Sequence, residues 1–67
     1  MTESLRKCVI TGCIKQGAFK ATEGHIHTTF HTWGTCILGE NLITVAIVED
    51  GAGRVYCVQP DFMKFVS

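Results

Sequence analysis

Apolar and polar residues alternate along several short stretches of the chain, which is the pattern of half-buried β-strands. The pattern predicts five strands, at residues 7–10, 25–33, 42–49, 54–59 and 64–66, with residues 14–20 continuing into the second of them. The stretch LITVAIVE (residues 42–49) is almost continuously apolar, so we expect this strand to be buried on both faces.

Residues that favour turns separate these segments. The pair Asp50-Gly51 lies between apolar runs, which is a strong hairpin signal and predicts a turn over residues 50–53. Other turn-forming residues predict a turn or bulge at residues 11–12, a turn at residues 22–24 and a loop with a short extended piece over residues 34–41. The fixed φ of Pro60 suits the start of a 3₁₀ turn, which we expect at residues 60–63.

These elements predict an all-β fold, a small five-stranded antiparallel SH3-like barrel or sheet. Closure into a barrel would remove the exposed edges of so small a sheet. The tail VQPDFMKFV (residues 58–66) is similar to the end of SH3-type barrels, where a Pro-led 3₁₀ turn separates the last two strands. An open sheet completed by a second copy is the alternative. We expect residues 1–6 to be a flexible N-terminus and residues 7–67 to be a single domain.

The composition agrees with strands, since Val, Ile and Thr account for 20 of 67 residues and such branched side chains suit a pleated surface. A chain of this length buries only about 60% of its unfolded surface. We therefore expect a marginally stable fold that is helped by oligomerisation, a metal or a ligand.

Six basic and six acidic residues give no net charge, which argues against long nucleic acid or a membrane surface as a partner. Four of the six basic residues fall within the first twenty residues, which favours a small anionic ligand instead. No apolar run is long enough to span a membrane, and the N-terminus lacks the apolar region of a signal peptide. We therefore expect a cytoplasmic protein.

A longer pattern runs through the second half of the chain: FHTWG at residues 30–34, VAIVEDG at residues 45–51, then Val55, Val58, Pro60 and MKF at residues 63–65. It resembles the tail of a large group of short phage-encoded proteins, and some phage anti-defence proteins that sequester cyclic nucleotide immune signals have a similar tail. Two features depart from that pattern. Ala52 and Gly53 lengthen the hairpin turn, and the cysteine-containing N-terminal half has no counterpart.

The resemblance implies a non-catalytic accessory protein of phage type. It would act as a homo-oligomer in the host cytoplasm and would bind and sequester a small anionic immune signal, a cyclic or modified nucleotide. Two alternatives stay open: a protein-interaction module that inhibits a host defence protein, as anti-CRISPR proteins do, and a phage structural adaptor. The sequence has no nucleophile elbow, P-loop, HExxH or dinucleotide glycine motif, so we expect no enzymatic activity.

Several residues are candidates for contact with such a ligand: Phe30, His31, Trp33, Arg54, Tyr56 and Lys64. Phe30 and Trp33 have rings that could stack on a nucleobase, and His31 could form a hydrogen bond beside them. Arg54 and Lys64 could bind phosphate. Core packing of the aromatic rings and ordinary solvation of the charges are the simpler explanations.

Three histidines, His25, His27 and His31, fall on one face of the predicted strand, with Thr29, unless a bulge breaks the alternation. Imidazole is a common zinc ligand, so a zinc site is one hypothesis for them, and a solvated polar face is the simpler one. We expect no cofactor.

The four cysteines form no CxxC pair, and a reducing cytoplasm favours free thiols. Cys36 and Cys57 have apolar neighbours, so we expect both to be small core residues. Cys8 and Cys13 are weaker candidates for a mixed zinc site with the histidines.

Overall fold

The computed structural model describes residues 6–66. Its elements are β1 (Lys7–Lys15), β2 (Ala18–Leu38), β3 (Asn41–Asp50), β4 (Val55–Val58), a 3₁₀ turn (Pro60–Phe62) and β5 (Met63–Val66). The predicted all-β class, with five antiparallel strands and a 3₁₀ turn that begins at Pro60, is confirmed. Within residues 6–66 there is no helix long and apolar enough to cross a membrane. Residues 1–5 of the predicted flexible N-terminus lie outside the described part of the chain.

Strand β1 is the centre of the pairing pattern, since it pairs with β2, β4 and β5. Its pairing with β4 is a single residue pair, Ile14 with Cys57. Strand β3 pairs with β2 on one side and with β4 on the other. Every pairing is antiparallel.

Two tight turns correct the expected strand boundaries. Gln16 and Gly17 have φ of 53° and 78°, as a type I′ turn requires, so residues 14–20 form a hairpin between β1 and β2 and not one continuous strand. Gly39, with φ of 64°, begins the turn between β2 and β3. The predicted loop over residues 34–41 is therefore wrong, because most of it belongs to β2.

Strand β2 is 21 residues long and bends where a turn was expected. Its pairing with β1 is interrupted between Ala21 and Ile26, so the intervening residues lie opposite Thr11 alone. Gly24, in this interval, has φ of 83°, a conformation that glycine adopts without strain. The turn-forming residues 22–24 thus produce a large bulge that redirects β2 without ending it. The bulge predicted at residues 11–12 is the same irregularity, as it appears on β1.

A second bulge lies at His31, where β2 carries one residue more than β3. Residues three apart on a regular strand point to opposite faces. The extra residue brings Phe30 and Trp33 to the same face, where their ring centroids are 5.1 Å apart. The predicted alternation therefore holds up to Phe30 and fails beyond the bulge, where Thr32 is exposed and not inward-facing.

The hydrophobic core is built mainly from β1, β3 and β4. Its buried members are Cys8, Ile10, Cys13, Ala46, Val48 and Val58. Aromatic side chains cover it from β2 and β5: the Phe30 and Phe65 ring centroids are 5.3 Å apart, and the Arg6 guanidinium lies 3.8 Å from the centroid of Phe65.

The middle of β3 is buried on both faces, as predicted. Val45 and Val48 point to opposite faces of the strand, and both have 0% exposure. The expectation fails toward the β2–β3 turn, where Leu42 is 71% exposed.

The cysteines reverse the sequence-based expectation. Cys8 and Cys13 are buried, whereas Cys36 and Cys57 are only partly buried. All four are free thiols. Burial raises the pKa of the Cys57 thiol, and the neighbouring Cys36 thiol raises it further.

Candidate ligand-binding face

The side of β5, β1 and β2 that faces away from the core carries two rows of mostly polar and basic side chains. Residues directly opposite one another in antiparallel strands point to the same side of the sheet. Lys64 lies opposite Val9, and Val9 lies opposite His27, so the three form one row. A second row contains Val66, Lys7, Thr29 and Glu49. These two rows, together with His25, are named the outer face.

Two adjoining depressions open on the outer face and share His27. The larger has a volume of about 490 Å³, within the range of about 300–1,000 Å³ that is usual for ligand pockets. Its lining includes Val9, His25, His27, Asp61, Phe62 and Lys64. The smaller, of about 280 Å³, is lined by residues that include Lys7, Thr29 and Glu49.

The 3₁₀ turn forms one wall of the larger depression and is held against β1 and β2. The Phe62 ring packs against Phe19, with ring centroids 4.4 Å apart. The Thr11 hydroxyl donates a 3.5 Å hydrogen bond to the Phe62 carbonyl oxygen. Phe19 in turn lies over Gly12, where a Cβ atom would overlap its ring. Gly12 therefore permits the ring position that supports this wall.

The chemistry of the larger depression is mixed. Lys64 supplies a cation, the imidazoles of His25 and His27 supply N–H donors, and Asp61 supplies a carboxylate acceptor. Val9 and Phe62 supply apolar surface. Such a surface suits a ligand that combines an anionic group with an apolar ring and polar hydroxyl or amino groups.

The six residues predicted from the sequence to contact a ligand do not lie in one site. Lys64 is on the outer face, with His25 and His27. Phe30 is half-buried against the core, and its neighbour Trp33 is 48% exposed. Their stacking on a ligand stays a prediction.

His31 is engaged within the protein. Its Nε2 atom lies 2.9 Å from Oε1 of Glu49, and both side chains are partly exposed. The bulge directs His31 toward the Glu49 end of the outer face and away from His25. Its contact with a ligand also stays a prediction.

Arg54 and Tyr56 surround the Asp50 carboxylate in the β3–β4 hairpin. Oδ1 of Asp50 accepts hydrogen bonds from the backbone N–H groups of Ala52 and Arg54, each at 2.9 Å. Oδ2 accepts one from the Tyr56 hydroxyl at 2.9 Å. The Arg54 N–H is the main cause that holds the pKa of Asp50 below its usual value, and the hydrogen bond to Asp50 raises the pKa of Tyr56. These contacts assign Asp50 and Tyr56 a role in the hairpin.

The described residues give no geometric support to the hypothesis that His25, His27 and His31 form a zinc site. Among residues 6–66, no group of three or more His, Cys, Asp or Glu side chains is arranged to hold a metal ion. His25 and His27 share the larger depression, while His31 faces Glu49. The two neighbouring histidines are better described as hydrogen-bond donors on the outer face.

Comparison of the chain with protein-family models, with curated proteins and with solved structures finds no match. The phage-protein resemblance of residues 30–66 therefore stays a prediction.

Proposed function

We propose that the protein is a non-catalytic binding protein for a small anionic molecule of the nucleotide class, which occupies the larger depression of the outer face. The observation that carries this proposal is the row Lys64–Val9–His27, in which two nitrogen donors flank an apolar residue on the floor of a ligand-sized depression.

The phosphate would bind between Lys64 and His27. These residues are separated by two strand spacings, about 10 Å between backbones, and both side chains are long enough to reach a group above Val9. Hydrogen bonds from a charged donor to phosphate are stronger than neutral ones. His25, which also lines the depression, supplies a further donor.

The sugar and base would bind toward the 3₁₀ turn. The Phe62 ring and the Met63 side chain provide apolar surface, and aromatic rings stack on any nucleobase. The Asp61 carboxylate would accept hydrogen bonds from a ribose hydroxyl or from an amino group of the base. A carboxylate at this position disfavours a bare anion, which supports a nucleotide over inorganic phosphate.

Isothermal titration calorimetry tests the proposal with AMP, cyclic AMP, a cyclic dinucleotide, ADP-ribose, adenosine and inorganic phosphate. We expect at least one phosphate-containing nucleotide to bind more tightly than adenosine or phosphate alone. Lys64→Met keeps most of the side-chain volume and removes the charge. It should weaken nucleotide binding about tenfold or more, as expected for a lost charged hydrogen bond.

Lys15→Met is the matched control, because Lys15 is exposed at the far end of β1 and does not line the depression. It should leave the affinity unchanged. Absence of binding to every nucleotide at concentrations up to about 1 mM would contradict the proposal. Equal losses in the Lys64 and Lys15 variants would do the same, since they would indicate attraction by overall charge without a defined site.

A further inference from the structure

The end of the β2–β3 hairpin exposes an apolar strip that the proposed ligand site does not use. Trp33, Ile37 and Leu42 are 48%, 56% and 71% exposed. Ile37 lies opposite Leu42, and Trp33 is four residues from Ile37 on the same strand, so all three point to one face. We name residues 33–46 the distal hairpin.

The distal hairpin also has a free backbone edge on β3. The two-residue turn makes Leu38 and Asn41 the closing pair, so the N–H and C=O groups of Leu42 and Thr44 point away from β2. Strand β4 pairs with β3 only from Ala46 to Glu49, and no other strand in residues 6–66 pairs with this edge. An exposed edge of this kind is a template for pairing with another strand.

The charge pattern indicates what pairs with this edge. Glu40 is the only Asp, Glu, Lys or Arg residue between residues 24 and 48, and it lies in the turn. The strip therefore has no charge with which to select an acidic or basic partner. A second copy of the same chain needs none, because an uncharged strip meets an identical uncharged strip.

We propose that two copies of the chain associate through the β3 edges of their distal hairpins, antiparallel and about a two-fold axis at Ile43. In this register Leu42 of each copy pairs with Thr44 of the second copy through two hydrogen bonds, and the two Ile43 residues face one another. The two hairpins become a four-stranded sheet. The strips of the two copies then lie side by side, and the two Leu42 side chains become neighbours across the axis.

The self-pairing is geometrically favourable for further reasons. Ile43 would occupy a non-hydrogen-bonded pair, where side chains approach most closely and β-branched residues pack well. Asn41, at the turn, would lie opposite Val45 and would not bring like charges together. The outer face lies on β5, β1 and the first half of β2, so the dimer would leave both ligand sites open.

Sedimentation equilibrium of the full chain tests the association. We expect a concentration-dependent dimer. Leu42→Glu places two like charges beside the axis, and Thr44→Pro removes an N–H donor from the edge, so each should weaken the dimer at least tenfold. Val55→Glu is the matched control, because Val55 is 65% exposed and lies outside the distal hairpin. It should leave the dimer unchanged.

Cysteine cross-linking tests the register. In a background carrying Cys36→Ser and Cys57→Ser, Ile43→Cys should form an intermolecular disulfide under mild oxidation. The Cα atoms of a non-hydrogen-bonded pair are about 4.5 Å apart, which a disulfide can bridge. Thr44→Cys should not cross-link efficiently, because residue 44 and its equivalent would be diagonal neighbours about 7–8 Å apart.

A chain that stays monomeric up to about 1 mM overturns the proposal. So does a dimer that Leu42→Glu and Val55→Glu weaken equally, or one in which Thr44→Cys cross-links as well as Ile43→Cys. Circular dichroism of each variant shows whether the fold is kept, so that unfolding is not mistaken for dissociation. These outcomes are independent of nucleotide binding, since the two surfaces share no residue.

Discussion

Asp50 shows how one side chain organises a hairpin. Its carboxylate accepts two backbone hydrogen bonds from within the turn and a third from Tyr56 on the return strand. The turn over residues 50–53 was predicted from the pair Asp50-Gly51. What the sequence could not show was that Arg54 presents its backbone N–H to this carboxylate.

Asp50→Ala should lower the stability of the fold most at neutral pH. The pKa of Asp50 is lowered from 3.8 in the folded state. Its contribution is therefore present above about pH 4 and is lost as the pH falls through the lower folded-state pKa. Urea unfolding of wild type and variant should give midpoints that differ most at pH 7 and approach one another as the pH falls below about 4. A gap that stays constant over this range would contradict the assignment.

The candidate ligand residues were only partly predictable at this scale. Lys64 was predicted from its charge, because cations are the usual partners of anions. His25 and His27 were singled out only as possible zinc ligands. Val9 and Phe62 carry no chemical signal of their own. They join the site because β1 pairs with β5, a register between distant segments that periodicity within one segment does not contain.

Among the elements, β2 departs most from its prediction. Alternation identified its central part, residues 25–30, with the correct faces. The strand continues through Gly24 and past His31 because bulges absorb the residues that would otherwise end it. Periodicity detects regular strands, so a strand containing two bulges appears as separate pieces with a turn and a loop between them.

Neither the side chain of His31 nor the extra residue at this bulge should be essential for the stability of the fold. The contact of His31 with Glu49 joins two partly exposed groups, so His31→Ala should cost at most about 1 kcal/mol. Deletion of His31 leaves Trp33 two residues after Phe30, and residues two apart on a regular strand share a face, so their ring contact should be kept. The deletion should therefore lower the urea midpoint about as little as the substitution does.

Fluorescence of Trp33, the single tryptophan of the chain, gives a second measurement. Its emission should stay the same both on deletion of His31 and in His31→Ala. A large change in stability or emission on deletion alone would contradict this prediction, since it would show that the bulge itself holds the ring in place.

At the scale of the whole molecule, the stability of this small protein depends on residues buried on both faces of β3. Val45 and Val48 are fully buried on opposite faces of β3. A chain of 67 residues has a total stability of roughly 3–10 kcal/mol. A loss on either face is therefore a large fraction of the whole.

Val45→Ala and Val48→Ala should each destabilise the protein by about 2–3 kcal/mol, from lost burial and the cavity left behind. Val55→Ala, at 65% exposure, is the matched control and should cost less than about 0.5 kcal/mol. Urea unfolding followed by circular dichroism and by Trp33 fluorescence should give one coincident transition for each variant. Separate transitions would show that the two faces of β3 belong to independent units.

The pairing of β1 with β5 has a consequence for how the protein is made. Lys7 lies opposite Val66, so one of the first described residues depends on one of the last. Translation adds about 5–20 residues per second, and the β1–β2 hairpin can pair while later strands are still being synthesised. The row Lys64–Val9–His27 cannot exist until β5 has left the ribosome. A nascent chain that still lacks β5 therefore carries no complete outer face, and the proposed ligand site can form only after β5 has emerged.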